Sequence, residues 1–177
     1  MNIFLIGYRA AGKSTVGKKL AARLDRPFVD ADLKLVEACA MSINECVNRH
    51  GWDYFREKEK TILKQLCRLD RQVVATGGGV VMDDENVVNM KQSGVLVWLR
   101  AAPETIKNRI LQDGSSGEFR PALTPGGVTE EVEETLRYRD PLYEAAMDFS
   151  VFTDRSGPDK ICDVIAAKLS KGFAICD

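Results

Sequence analysis

The stretch Gly7-Tyr8-Arg9-Ala10-Ala11-Gly12-Lys13-Ser14 sets two glycines, a lysine and a hydroxyl at the spacing G-x-x-x-x-G-K-S. Glycines let a backbone turn tightly and point its N–H groups inward, where they cradle phosphates. The lysine reaches the β- and γ-phosphates, and the serine hydroxyl ligates Mg²⁺. Asp30 and Asp32 then stand at i and i+2 at the end of Pro27–Asp32. One carboxylate can hold Mg²⁺ through water, and the other can take a proton from an attacking hydroxyl. The plainer reading of the pair is an acidic helix start favoured by the helix dipole. Gly77, Gly78 and Gly79 bring bare backbone close to a neighbour. Arg56, Arg120 and Arg139 are isolated in sequence. Arginine clamps carboxylates bidentately and stabilises phosphoryl oxygens, although any single arginine is more often a solvated surface residue.

These groups need elements to position them. Asn2–Ile6 suits one buried strand of a parallel sheet, and Val16, Leu20 and Leu24 recur one helical turn apart after Ser14. The glycines therefore sit between a strand and a helix, whose N-terminus binds anions. Further apolar runs at Phe28–Val29, Gln72–Ala75, Val95–Leu99 and Phe149–Phe152 alternate with helical stretches, the pattern of a parallel sheet covered on both faces. Ser42-Ile43-Asn44-Glu45 has the S-x-x-E shape of a capping box and predicts helix through about Leu69, broken near Gly51. Pro103 opens a helix ending near Asp113. Pro158 opens the last one, with Ile161, Ile165 and Leu169 on its apolar face. The segment 113–127 carries six glycines and prolines, and is read as a mobile lid.

The chain has 177 residues, a size that fits one domain, and its 25 basic and 26 acidic residues leave a net charge of −1. No positive excess points to a nucleic-acid surface, and no apolar stretch is long enough for a membrane span. Cys39, Cys46, Cys67, Cys162 and Cys176 are scattered and odd in number, the usage of a reduced, cytoplasmic protein rather than of a disulfide framework. The phosphate loop alone leaves open a GTPase switch, an ATPase motor or a small-molecule kinase. The guanine-reading N-K-x-D motif does not occur, and the Arg56/Arg139 pair favours a carboxylate-bearing acceptor without identifying it.

Across essentially its whole length the chain resembles the shikimate kinases. The matching pieces are Gly7–Thr15, Asp30-Ala-Asp32, Phe55-Arg56, Gly77-Gly78-Gly79, Arg120-Pro121 and Arg139-x-Pro-Leu-Tyr143. The resemblance implies a three-layer α/β/α kinase with a five-stranded parallel sheet, a lid at about 113–127 and a substrate-binding helical segment at about 31–62. It implies transfer of the γ-phosphoryl of ATP to the 3-hydroxyl of shikimate, with Mg²⁺, in aromatic amino-acid biosynthesis. Lys13, Asp32 and Arg120 would be catalytic. Gly7, Ala10, Ala11, Gly12, Lys13, Ser14, Thr15, Arg109, Arg120 and Pro158 would bind ATP. Asp32, Arg56, Gly77, Gly78, Gly79 and Arg139 would bind shikimate, and Ser14 and Asp30 would attend the metal. Lys13 and Asp32 are expected to lie open to ligand, and the protein to act as a monomer. The chain departs from many relatives at Ala10, where they carry a third loop glycine, and in a lid motif that reads Arg-Pro-Ala-Leu.

Overall fold

The computed structural model describes residues 1–112 and 128–172. Five strands form one sheet in the order β2-β3-β1-β4-β5: β1 (Asn2–Ile6), β2 (Phe28–Asp30), β3 (Val73–Ala75), β4 (Gly94–Arg100) and β5 (Phe149–Phe152). Every adjacent pair is parallel. The carboxyl ends of the strands therefore share one edge, where open α/β sheets bind ligands. The helices are α1 (Lys13–Arg23), α2 (Ala31–Cys39), α3 (Ile43–Cys67), α4 (Asp84–Ser93), α5 (Pro103–Gln112), α6 (Val128–Ala146) and α7 (Pro158–Gly172).

Strand periodicity divides the core into two layers. Ile3 and Leu5 of β1 pack with Val16 and Leu20 of α1 and with Ile161, Ile165 and Leu169 of α7. Phe4 and Ile6 face the other way, onto Leu63 of α3, Met90 of α4 and Tyr143 of α6. Burying each such side chain stabilises the fold by about 1.5–3 kcal/mol. Helices thus cover both faces of the sheet.

The helix starts follow from their caps. Ser42 Oγ accepts from Glu45 N at 3.1 Å, while Glu45 Oε2 accepts from Ser42 N at 2.8 Å, so the capping box forms. The predicted break appears as a kink at Gly51, with φ 83° and ψ 170°. The strand runs lie within a residue or two of their expected bounds. Asp30 and Asp32 stand at a helix start, as the plainer reading has it. Asp30 is the N-cap of α2, its Oδ1 accepting from Asp32 N at 3.1 Å and Leu33 N at 3.4 Å, and Asp32 lies in the first turn. The expected lid, 113–127, lies outside the described residues.

Candidate active site

Two neighbouring cavities open at the carboxyl edge of the sheet. The larger, about 540 Å³, is bordered by residues 9–16 of the phosphate loop together with Asp30, Arg109 and Pro158. The loop runs directly out of β1 into α1. Gly7 has φ 136°, and a Cβ there would lie 2.5 Å from Leu99 O of β4, so no other residue fits. Ala10 holds a left-handed conformation with φ 59°, which costs an alanine roughly 1–2 kcal/mol. Lys13 Nζ donates to Gly7 O at 2.7 Å and Tyr8 O at 2.8 Å, folding the ammonium against its own loop.

Ser14 Oγ donates to Asp30 Oδ2 at 2.6 Å. Since Oδ1 of the same carboxylate caps α2, Asp30 is fixed through both oxygens. The result is a rigid pair of hard oxygen donors beside the phosphate loop, a set that suits Mg²⁺. Among the described residues no cluster of three or more His, Cys, Asp or Glu could hold a metal unaided. Mg²⁺ ordinarily takes one or two protein oxygens and completes its shell with phosphates and water.

The smaller cavity, about 60 Å³, is bordered by Asp32, Arg56, Glu59, Gly77, Gly78, Gly79 and Arg139 among others. Arg56 Nη1 donates to Glu59 Oε2 at 2.5 Å, and its guanidinium lies 5.5 Å from the Trp52 ring centre and 5.1 Å from that of Phe55. Arg139 Nη1 donates to Gly78 O at 3.3 Å, and the Tyr143 hydroxyl donates to that same carbonyl. The glycines make room for these groups. A Cβ on Gly79 would run into the Arg56 guanidinium, and one on Gly77 into Glu59 Oε1. Arg139 is buried, and its Nε has no hydrogen-bond partner among the described residues; Glu59 Oε1 is likewise buried without one. Burial raises the Glu59 carboxyl above the usual carboxylate range against the opposing charge of Arg56, with Asp32 adding to the rise. Two arginines and two carboxylates converging on bare backbone can hold a small molecule that carries both an anionic group and hydroxyls.

Apart from Gly7, at the start of the loop, and Arg120, the predicted residues border these two neighbouring cavities, with one correction. Lys13 and Asp32 are 7% and 9% exposed, not open, because Lys13 turns inward to carbonyls and Asp32 sits beneath Gly77. Arg109 reaches the nucleotide side, donating to Ala10 O at 3.1 Å and to Thr153 O at 2.7 Å, and Pro158 opens α7 at the cavity wall. Arg120 lies outside the described residues. Sequence reasoning passed over Glu59, Arg9 and Glu131. The first had a local signal, since Arg56 and Glu59 are i and i+3 on one helix face. Arg9 and Glu131 are paired across 122 positions, which no local pattern reveals.

Comparison with known families matches residues 9–170 to "Shikimate kinase". A shikimate kinase of Syntrophus aciditrophicus is 41% identical over 172 residues, covering 93% of this chain and 88% of the relative. Shikimate kinase 2 of Photorhabdus laumondii is 39% identical over 171 residues, covering 97% of each. Among solved structures, shikimate kinase from Acinetobacter baumannii in complex with shikimate superposes with a TM-score of 0.89 at 30% identity, covering 97% of this chain and 94% of that one.

Proposed function

The chain belongs to the shikimate kinase family and phosphorylates shikimate at the expense of ATP, and we propose how its own residues divide that work. The reaction is a step of aromatic amino-acid biosynthesis, a phosphoryl transfer to an alcohol, here the 3-hydroxyl. The carrying observation is the pair of adjacent cavities, one built on a phosphate loop and the other on an arginine pair suited to a carboxylate.

ATP lies along Gly7 to Thr15, with backbone N–H groups and the α1 N-terminus on its phosphates. Lys13 leaves the loop carbonyls for the β- and γ-phosphates. Ser14 and Asp30 would hold Mg²⁺, which when bound would neutralise phosphate charge. Arg109 and Pro158 flank the base. In the acceptor cavity Arg56 and Arg139 take the carboxylate, the backbone of Gly77, Gly78 and Gly79 lines the ring, and Asp32 accepts the hydrogen bond of the attacking hydroxyl and takes its proton. Glu59 holds Arg56 in place, and its Oε1 offers a second acceptor to the ring hydroxyls. Arg120, with the lid at 113–127, supplies charge to the transferring group.

The segment 31–62 serves as the acceptor-binding part, in keeping with Asp32, Trp52, Phe55, Arg56 and Glu59 all lying on that cavity. Composition supports a cytoplasmic location without nucleic-acid or membrane partners, and among the described residues no helix is long and apolar enough to cross a membrane.

A coupled assay of ADP release with MgATP tests the reading. Shikimate is expected to stimulate release, and gluconate and nucleosides are not. Stimulation by either of those but not by shikimate would overturn it.

A further inference from the structure

Asp32 and Arg9 each border both cavities. A phosphoryl group leaving the nucleotide for the acceptor passes that shared border. Asp32 has a role there as the partner of the attacking hydroxyl; Arg9 has none so far. It occupies the second of the four spacer positions in G-x-x-x-x-G-K-S, a position that the phosphate loop leaves undefined.

The surroundings of Arg9 are built. Its Nη2 pairs with Glu131 Oε1, and Glu131 is completely buried on α6. The Tyr8 hydroxyl donates to the same carboxylate oxygen at 3.4 Å. The Arg9 side chain is itself only 13% exposed, and its Nε has no hydrogen-bond partner among the described residues. A guanidinium carries five donors in a planar fork, and one carboxylate oxygen cannot engage them all. Glu131 therefore fixes the cation at the border of the two cavities and leaves donors over. The arrangement suits a trigonal phosphoryl group, whose charge is spread over its equatorial oxygens as it moves.

We propose that Arg9 contacts the phosphoryl group in transit between the cavities, with Glu131 as the positioning residue that holds its guanidinium there. The proposal rests on the phosphoryl-transfer reading above. It adds Arg9 to Lys13 and Arg120 as a cation acting on the transferring group.

The plain alternative is an ion pair that only ties the loop to α6, and substitutions separate the two. Arg9→Met, Arg9→Lys and the double variant Arg9→Met/Glu131→Gln are compared with the unaltered chain by steady-state kinetics, direct titration of shikimate and MgATP, and urea unfolding. Arg9→Met is expected to lower kcat by ~10²-fold or more, the scale of a lost charge-stabilising donor, while both dissociation constants stay within about threefold. Arg9→Lys keeps the charge without the fork and recovers part of the loss. The double variant removes the buried charge left by the single one, so its urea midpoint rises back toward that of the unaltered chain while kcat stays low. Recovery of kcat along with stability in the double variant would overturn the proposal, as would an unchanged kcat or a loss confined to binding. Failure of the unaltered chain to phosphorylate shikimate would instead overturn the reading beneath it.

Discussion

Lys13 donates to two of its own loop's carbonyls, so the ammonium proposed to serve chemistry also shapes the loop. Lys13→Ala and Asp32→Asn are each expected to lower kcat by at least ~10²-fold, the scale of one charge-stabilising or acid–base group. Purified, folded variants with near-normal turnover would show the roles to be misassigned. Glu59 gives a second handle. Its buried carboxyl titrates above the usual range, so the fold favours the protonated form. Stability on this account is greatest below the unfolded carboxyl value of ~4.3 and falls as pH rises through the higher folded value. Urea midpoints of the unaltered chain are expected to fall relative to those of Glu59→Gln from about pH 4 upward. Parallel curves would mean that Glu59 ionises as freely in the fold as in the unfolded chain. What sequence could and could not disclose about single residues follows from this. The place of Lys13 and Ser14 at the larger cavity was legible because it depends on neighbours a few positions away. Glu131 was not, because its partner lies 122 positions distant and an acidic helical residue ordinarily faces solvent.

Element boundaries were legible wherever a side chain closes a local hydrogen bond. Ser42 and Glu45 satisfy each other's backbone at the start of α3, which gives that helix a definite first residue. Ser42→Ala is expected to destabilise the protein by about 1 kcal/mol in urea unfolding, with shikimate kinetics little changed once folded. A loss below a few tenths would show that water caps the helix as well as the hydroxyl does. Gly51 was equally legible as a break, since its φ of 83° is one that other residues rarely adopt. Helix α2 was harder to read. Its start carries two aspartates whose types suit both chemistry and capping, and the structure shows the capping, with Asp30 as the N-cap. For the segment around Arg120 the expectation remains kinetic. Arg120→Ala is expected to reduce kcat by about 10²-fold with little change in substrate affinity, because a cation acting on the transferring group is felt mainly in the transition state. An unchanged kcat with a raised KM would make it an ordinary binding residue.

At the scale of the molecule, the alternation of apolar runs and helices was enough to specify a parallel sheet with two covered faces. Strand order was not written there, because it depends on which runs find each other across long connections. That order has a consequence for the protein's birth. The first strand made, β1, is an inner strand, with β3 and β4 as its neighbours. A ribosome adding ~5–20 residues per second releases residues 2–6 several seconds before residues 94–100 exist. Throughout that interval the nascent chain displays an apolar strand without its β4 neighbour and a phosphate loop without its wall, since Gly7 is shaped against the Leu99 carbonyl of β4. Nucleotide therefore cannot act as an early scaffold for synthesis; it can reward only a chain already made well past its middle. A fragment ending at residue 93, before β4 begins, is expected to bind no MgATP in direct titration. Full-chain affinity in that fragment would mean that β1, α1 and β3 suffice to hold the loop, and that nucleotide in the cell meets the protein while it is still being made.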